Sequence, residues 1–104
     1  MKPLFVPLRS EPYDQFAAGA KSAELRLYGP RWNEQTCWPG RTVILSRGYG
    51  RHHRMRTAVV AFRRMTLAEL PATERRSVTR HYGEIPESTD IAVIIMDDPE
   101  PEAA

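Results

Sequence analysis

The chain has little cysteine, little lysine and no long apolar run. Its single cysteine, Cys37, excludes an intrachain disulfide and any zinc site built from several cysteines. No apolar run approaches the roughly 18 residues that a membrane-spanning helix needs, and no long apolar signal region begins the chain. These absences predict a cytoplasmic protein that has no membrane partner. A chain of 104 residues has room for one domain with one modest core.

Arginine rather than lysine carries the positive charge. Lys2 and Lys21 are the only lysines, whereas residues 41–64 contain seven arginines and no acid. The formal net charge is +2, but residues 97–104 contain four acids and no base, so the first 96 residues carry +6. Guanidinium groups grip phosphate as a fork and stack on bases, which predicts RNA or a nucleotide as the partner. The alternative is a basic surface that the acidic tail balances.

Turn residues and hydrophobic periodicity divide the chain into five strands and two helical regions, in the order β-α-β-β-β-α-β. The first helix is expected to use Ser10 as its N-cap and to end at Gly19. The second helical region begins at a capping box formed by Thr66 and Glu69. The predicted strands cover residues 4–8, 23–28, 42–46, 55–62 and 91–96.

The second, third and fourth strands are consecutive, which predicts a curved antiparallel sheet closing into a small β-barrel with helices over its openings. An open ferredoxin-like sandwich is the alternative α+β fold. The predicted domain covers residues 1–96, and an acidic, disordered tail covers residues 97–104. The expected core consists of Leu4, Val6, Phe16, Leu25, Leu27, Val43, Leu45, Val59, Ala61, Ile91, Val93 and Ile95.

The second strand has an unusual polar face. Because side chains alternate with period two, Glu24 and Arg26 share one face while Leu25 and Leu27 share the other. Lys21 lies just before this strand. A carboxylate and a guanidinium side by side, with an ammonium next to them, predict the wall of a polar cleft. The alternative is a solvated face with an ordinary Glu–Arg pair.

A wider pattern surrounds this strand. The motif G-x-K-x-x-E-x-R occupies residues 19–26 after a capped helix, and Pro39-Gly40 and a strand ending in Ser46 follow it. The pattern resembles the ASCH domain family of the PUA-like superfamily of small β-barrels. This resemblance implies a PUA-like fold and RNA or nucleotide binding in a cleft lined by the motif residues Lys21, Glu24 and Arg26. The alternative that it implies is a small hydrolase, either an amidohydrolase on a modified nucleoside such as acetylated cytidine or a ribonuclease.

The chain departs from the amidohydrolases of that family at one position. Those enzymes resemble it at Lys21 but have a threonine where Glu24 stands here. Their further catalytic glutamate has only loose counterparts in this chain, Glu69 and Glu74. In the hydrolase alternative, Lys21 and Glu24 are the catalytic pair. Because Glu24 replaces the threonine of the amidohydrolases, catalysis ranks below binding as a prediction.

Other residues extend the predicted site. Trp32 and Tyr49 lie in loops, where each can stack on a base or close an end of the barrel. Ser46, at a strand end, can contact a ligand or satisfy a turn. The predicted binding residues are Lys21, Glu24, Arg26, Trp32, Ser46, Tyr49, Arg51, Arg54 and Arg56.

The sequence predicts no cofactor and no metal. His52 and His53 are adjacent, so on a strand their side chains point to opposite faces and cannot easily chelate one ion together. The expected partners are therefore RNA, a nucleotide or a nucleoside.

Overall fold

The structure is a computed structural model that describes residues 2–102. Its strands and helices are β1 (Leu4–Leu8), α1 (Ser10–Ala17), β2 (Ala23–Leu27), β3 (Thr42–Arg47), β4 (Arg54–Thr66), a short 3₁₀ helix (Leu67–Glu69), α2 (Ala72–Tyr82), β5 (Asp90–Met96) and β6 (Glu100–Pro101). The order confirms β-α-β-β-β-α-β and adds the two-residue strand β6. Neither helix of the described residues is long and apolar enough to cross a membrane.

The sheet curls into a half-barrel. Its strands lie in the order β1-β3-β4-β5-β2, and β6 pairs with β4 beyond this path. Strand β1 runs parallel to β3, and the other pairs are antiparallel. A bulge between Val59 and Ala61 interrupts β4, whose first half pairs with β3 and whose second half pairs with β5. The predicted α+β fold of the small-barrel type is confirmed.

One predicted pairing is wrong, because β2 lies beside β5 and not beside β3. Between β2 and β3 the chain runs through residues 28–41, and it buries Trp32 and Cys37 against the core on the way. This irregular segment therefore belongs to the core and separates the two strands. Strands β1 and β2 become the two edges of the curled sheet.

The core has two parts, one on each face of β5. The inner part fills the curled sheet with apolar side chains of β1, β3, β4 and β5, and Tyr13 and Phe16 of α1 pack against them. The outer part lies under the 3₁₀ helix and α2, where Leu67, Leu70 and Val78 cover Ile91 and Val93. Strand β5 is therefore buried on both faces, as its wholly apolar sequence predicts.

Leu27 is an error in the predicted core. Its side chain is 36% exposed, because it lies at the end of an edge strand, where only β5 flanks it. Leu25, Ala61 and Ile95 are half-buried, and the eight other predicted core residues are buried. The polar face of β2 is the more buried one, since Glu24 is only 7% exposed.

The helix ends follow the sequence signals in part. Arg9, and not Ser10, occupies the N-cap of α1, so the predicted serine cap is wrong. Gly19 follows the helix with φ of +75°, a conformation that glycine adopts without strain. The capping box is confirmed, because Glu69 Oε1 accepts hydrogen bonds from Thr66 N at 2.8 Å and Thr66 Oγ1 at 2.9 Å.

The structure describes most of the predicted acidic tail. Glu100–Pro101 form β6 against the first half of β4, with Glu100 opposite Arg56 and Pro101 opposite Met55. The part of the predicted tail at residues 103–104 lies outside the described residues, as does Met1. The division into a domain and a tail at residue 96 stays a prediction.

Leu45, which is fully buried, and Leu27, which is 36% exposed, provide a test of this packing. We expect Leu45→Ala to lower the free energy of unfolding by about 2–5 kcal/mol, since a fully buried leucine leaves a cavity. Leu27→Ala should cost about 1 kcal/mol or less, because its side chain is already partly in water. Urea unfolding of both variants measures the difference. Equal costs would show that Leu27 is a core residue after all.

Candidate functional site

The site is built on the segment that joins α1 to β2. The amides of Ala20 and Lys21 donate to the carbonyl oxygen of Gln15, which folds the chain back across the end of α1. Strand β2 then begins at Ala23 and pairs with β5, with Glu24 opposite Ile94. Opposed residues share a face, so Glu24 points to the same side as the inner core. The motif thereby places a carboxylate inside the half-barrel.

Glu24 is held by two cations. Arg26 Nε and Nη2 donate to Glu24 Oε2 at 3.1 and 2.8 Å, and Lys21 Nζ donates to Oε1 at 3.0 Å. The side chains of Lys21 and Arg26 are 23% and 18% exposed, so the cluster lies where the interior meets solvent. Both oxygens of the buried carboxylate have charged donors, and the cluster has a formal charge of +1. We call Lys21, Glu24 and Arg26 the triad.

Arg26 also connects the two edges of the sheet. Its Nη2 donates to the Pro7 carbonyl oxygen of β1 at 2.7 Å, although within residues 2–102 β1 and β2 are not paired. The Trp32 ring lies against the same guanidinium, with its centroid 4.9 Å from Arg26 Cζ. The arginine is therefore fixed by a carboxylate, a carbonyl and an aromatic face. The gap between β1 and β2 remains open beside it.

A cleft of about 350 Å³ opens over the triad. The end of β1 forms one side of it, Tyr49 lies at its rim, and α2 contributes Ser77, His81 and Tyr82. Burial raises the pKa of the Tyr82 phenol, while the charge of Arg26 opposes this rise and that of Glu24 adds to it. Sequence reasoning missed the residues of α2. The available signal was the spacing of Ser77 and His81, which places their side chains one turn apart on the same face of the helix.

The predicted site residues do not all reach the cleft. The triad and Tyr49 line it, and Tyr49 is 76% exposed. Trp32 is buried behind Arg26, so its ring packs in the core and does not offer a free stacking surface. Ser46 is fully buried, and its hydroxyl donates to the Gly50 carbonyl oxygen at 3.3 Å, which satisfies the turn. A ligand role for these two residues stays a prediction.

Two of the predicted arginines lie on the outer face of the sheet, beside the rim of the cleft. The Tyr49 ring lies 6.0 Å from the Phe5 ring, and Arg54 Cζ lies 5.3 Å from the Phe5 centroid. Arg56 follows on the same face of β4 and is exposed. We call Phe5, Tyr49, Arg54 and Arg56 together the arginine strip, after its two arginines. Arg51 is exposed in the loop between β3 and β4, next to the strip in sequence.

The loose glutamate candidates are not at the cleft. Glu69 is engaged by Thr66 in the capping box, and Glu74 of α2 is not among the residues that line the cleft. Within residues 2–102, no group of three or more His, Cys, Asp or Glu side chains is placed to hold a metal ion.

Comparison with known proteins shows the fold and nothing finer. No family model and no curated protein match the sequence. Among solved structures, a tyrosine-to-phenylalanine variant of ZmASCH from Zymomonas mobilis is similar, with a TM-score of 0.63 and 12% identity over 93% of this chain and 70% of that one. The hypothetical protein PH0355 gives a TM-score of 0.64 and 18% identity over 94% and 97% of the two chains. PF0455 from Pyrococcus furiosus gives 0.54 and 19% over 96% and 97%.

The similarity to ZmASCH confirms the fold that the G-x-K-x-x-E-x-R motif predicts. The matching region covers nearly the whole described chain. At 12% identity the likeness concerns the path of the backbone and not the side chains of the site. The chain therefore has an ASCH-like fold.

Proposed function

We propose that the protein binds RNA or a nucleotide, with a base in the cleft and the phosphates on the arginine strip. One observation carries this proposal: a buried carboxylate lies between two cations at the floor of an open cleft. Barrel interiors are normally apolar, because an ionised group costs free energy when it leaves water. A charged cluster at an accessible site therefore suits the recognition of a polar ligand better than it suits stability.

The triad supplies the chemistry that a nucleotide needs. Lys21 Nζ donates to Glu24 Oε1, and an ammonium group has three N–H donors, so it can also meet a phosphate or a base oxygen. Glu24 holds both cations in place, because its two oxygens accept hydrogen bonds from them. Tyr49 projects from the rim with most of its ring in solvent, as a stacking platform requires. A cleft of about 350 Å³ has the size of a small-ligand site.

The arginine strip extends the site along the outer face. Phosphate contacts of arginines position a nucleic acid and supply most of its salt-dependent affinity without reading the sequence. Arg54 lies over Phe5, so its guanidinium is held near the rim of the cleft. A strand of RNA that places one base in the cleft would thus pass Tyr49 and continue over Arg54 and Arg56.

A hydrolase in the same cleft is the second candidate. The observation in its favour is that Lys21 Nζ and Glu24 Oε1 lie 3.0 Å apart and both residues line the cleft, where an acid and a base can reach the same substrate. Against it, both Glu24 oxygens are occupied by cations. We rank this candidate second for that reason.

Replacing the buried ion pair by apolar residues separates its structural role from its binding role. Arg26→Met leaves a buried carboxylate with Lys21 as its remaining cation, so unfolding should become easier by about 3 kcal/mol. The double variant Glu24→Leu with Arg26→Met removes both charges and should regain the part of that loss that comes from the poorly paired carboxylate. Despite its stability, the double variant should bind a short single-stranded RNA at least about tenfold more weakly. A stable double variant with unchanged RNA affinity would contradict a binding role for the pair.

The arginine strip predicts a specific salt dependence of binding. We expect Arg54→Ala with Arg56→Ala to weaken RNA binding and to reduce the slope of log affinity against log salt by about 0.7 for each phosphate that is no longer neutralised. The matched control is Arg76→Ala with Arg80→Ala, which removes the same charge from exposed positions of α2. Fluorescence anisotropy titrations at several salt concentrations measure both. Equal changes in the two variants would show that net charge alone matters.

Incubation with acetylated cytidine and with short RNAs tests the hydrolase candidate. We expect binding without turnover in the native protein, because both Glu24 oxygens are already engaged by Lys21 and Arg26. Chromatography of the products measures this. Turnover that disappears in both Lys21→Ala and Glu24→Gln, with the fold intact by circular dichroism, would reverse the ranking of the two candidates.

A further inference from the structure

The C-terminal segment places two acids opposite the arginines of the strip. Glu100 of β6 lies opposite Arg56 in the ladder, and the amide of Glu102 donates to the Arg54 carbonyl oxygen at 3.1 Å. Directly opposed residues of an antiparallel pair project from the same face, and so do residues two apart on one strand. Glu100 and Glu102 therefore share the face of Arg54 and Arg56. Opposed side chains of this kind lie about 5 Å apart at Cβ.

This placement is unusual because the rest of the acidic segment lies elsewhere. Asp97 and Asp98 are exposed in the connection between β5 and β6. The backbone of Asp97 is tied to β4, since its amide donates to Ala58 O at 3.1 Å and its carbonyl accepts from Thr57 Oγ1 at 2.6 Å. The two glutamates thus follow an anchored residue and lie on the same face of the sheet as Arg54 and Arg56.

Strand β6 is held weakly. It contains two residues, and the four ion pairs formed within residues 2–102 lie elsewhere. Glu102 Oε2 is buried without a hydrogen-bond partner among these residues, which costs free energy for a carboxylate oxygen. A short strand followed by an unsatisfied acceptor can leave its neighbour at little cost. Backbone pairing with β4 and the Glu102 amide hydrogen bond hold it, and its two negative charges lie on the same face of the sheet as the two arginines.

We propose that β6 and the phosphates of a nucleic acid compete for the arginine strip. In the free protein Glu100 and Glu102 lie across the ladder from Arg56 and Arg54, on the same face of the sheet. When RNA binds, its phosphates replace the carboxylates and β6 detaches from β4 after the anchored Asp97. This inference rests on the proposed RNA binding. It adds that the C-terminal strand lowers the affinity and favours ligands with several consecutive phosphates over single nucleotides.

A pair of charge-matched variants tests the competition. Glu100→Gln with Glu102→Gln and Asp97→Asn with Asp98→Asn both remove two negative charges, but only the first pair removes them from the strip. We expect the glutamine variant to bind a short single-stranded oligouridylate about threefold to tenfold more tightly than the native protein. The asparagine variant should change the affinity by less than about twofold, because salt screens its more distant charges. Fluorescence anisotropy at near-physiological salt measures both.

The detachment of β6 has its own readout. In two-dimensional amide NMR of the full chain, saturation with the oligouridylate should move the Glu102 signal toward its value in a disordered chain, while Asp97 stays in place. Equal tightening in the two charge-matched variants, or a Glu102 signal that stays unchanged in the saturated complex, would overturn the competition and leave RNA binding intact. Absence of RNA binding in all variants would overturn both the competition and the proposed function.

Discussion

The hydrogen bond from Arg26 to the Pro7 carbonyl oxygen is the contact on which the site depends, because it joins the two edges of the curled sheet. A backbone ladder at this point is blocked on one side, since proline has no N–H to donate. The carbonyl of Pro7 would otherwise lack a partner, and the guanidinium supplies one from the side. Closure by a side chain keeps the edges apart. The resulting gap is the cleft, so the same residue that completes the half-barrel also holds it open.

A guanidinium in this position needs its own support, and Glu24 and Trp32 provide it. Glu24 neutralises it through two hydrogen bonds, and the Trp32 ring covers its face. The carboxylate is nearly buried, so it would be costly if Lys21 did not occupy its second oxygen. The spacing of the motif follows from this arrangement. Residues 24 and 26 share a face of β2, and Lys21 reaches back from the turn that precedes the strand.

Local signals in the sequence predicted most of the helices and strands. The predictions that were wrong depended on long-range packing. The capping box at Thr66 and the alternation in β2 depend on near neighbours, and both are present. The exposure of Leu27 and the pairing of β2 depend on which strand becomes an edge, and no local pattern encodes that. Trp32 was ambiguous for the same reason: a loop tryptophan contacts either a ligand or the core, and only the course of residues 28–41 shows which. The contribution of α2 to the cleft required the fold.

Glu24 and the pair Glu100 and Glu102 oppose arginines in different ways, and in the proposed competition this difference decides which carboxylates an external anion replaces. Glu24 is buried on the inner face of β2 and makes hydrogen bonds through both oxygens. Displacing it would leave a carboxylate without partners in the interior. Glu100 and Glu102 lie on and next to a two-residue strand at the surface, where water solvates them once they are released. In the proposed competition, a phosphate that approaches the strip exchanges with β6 and leaves the triad intact.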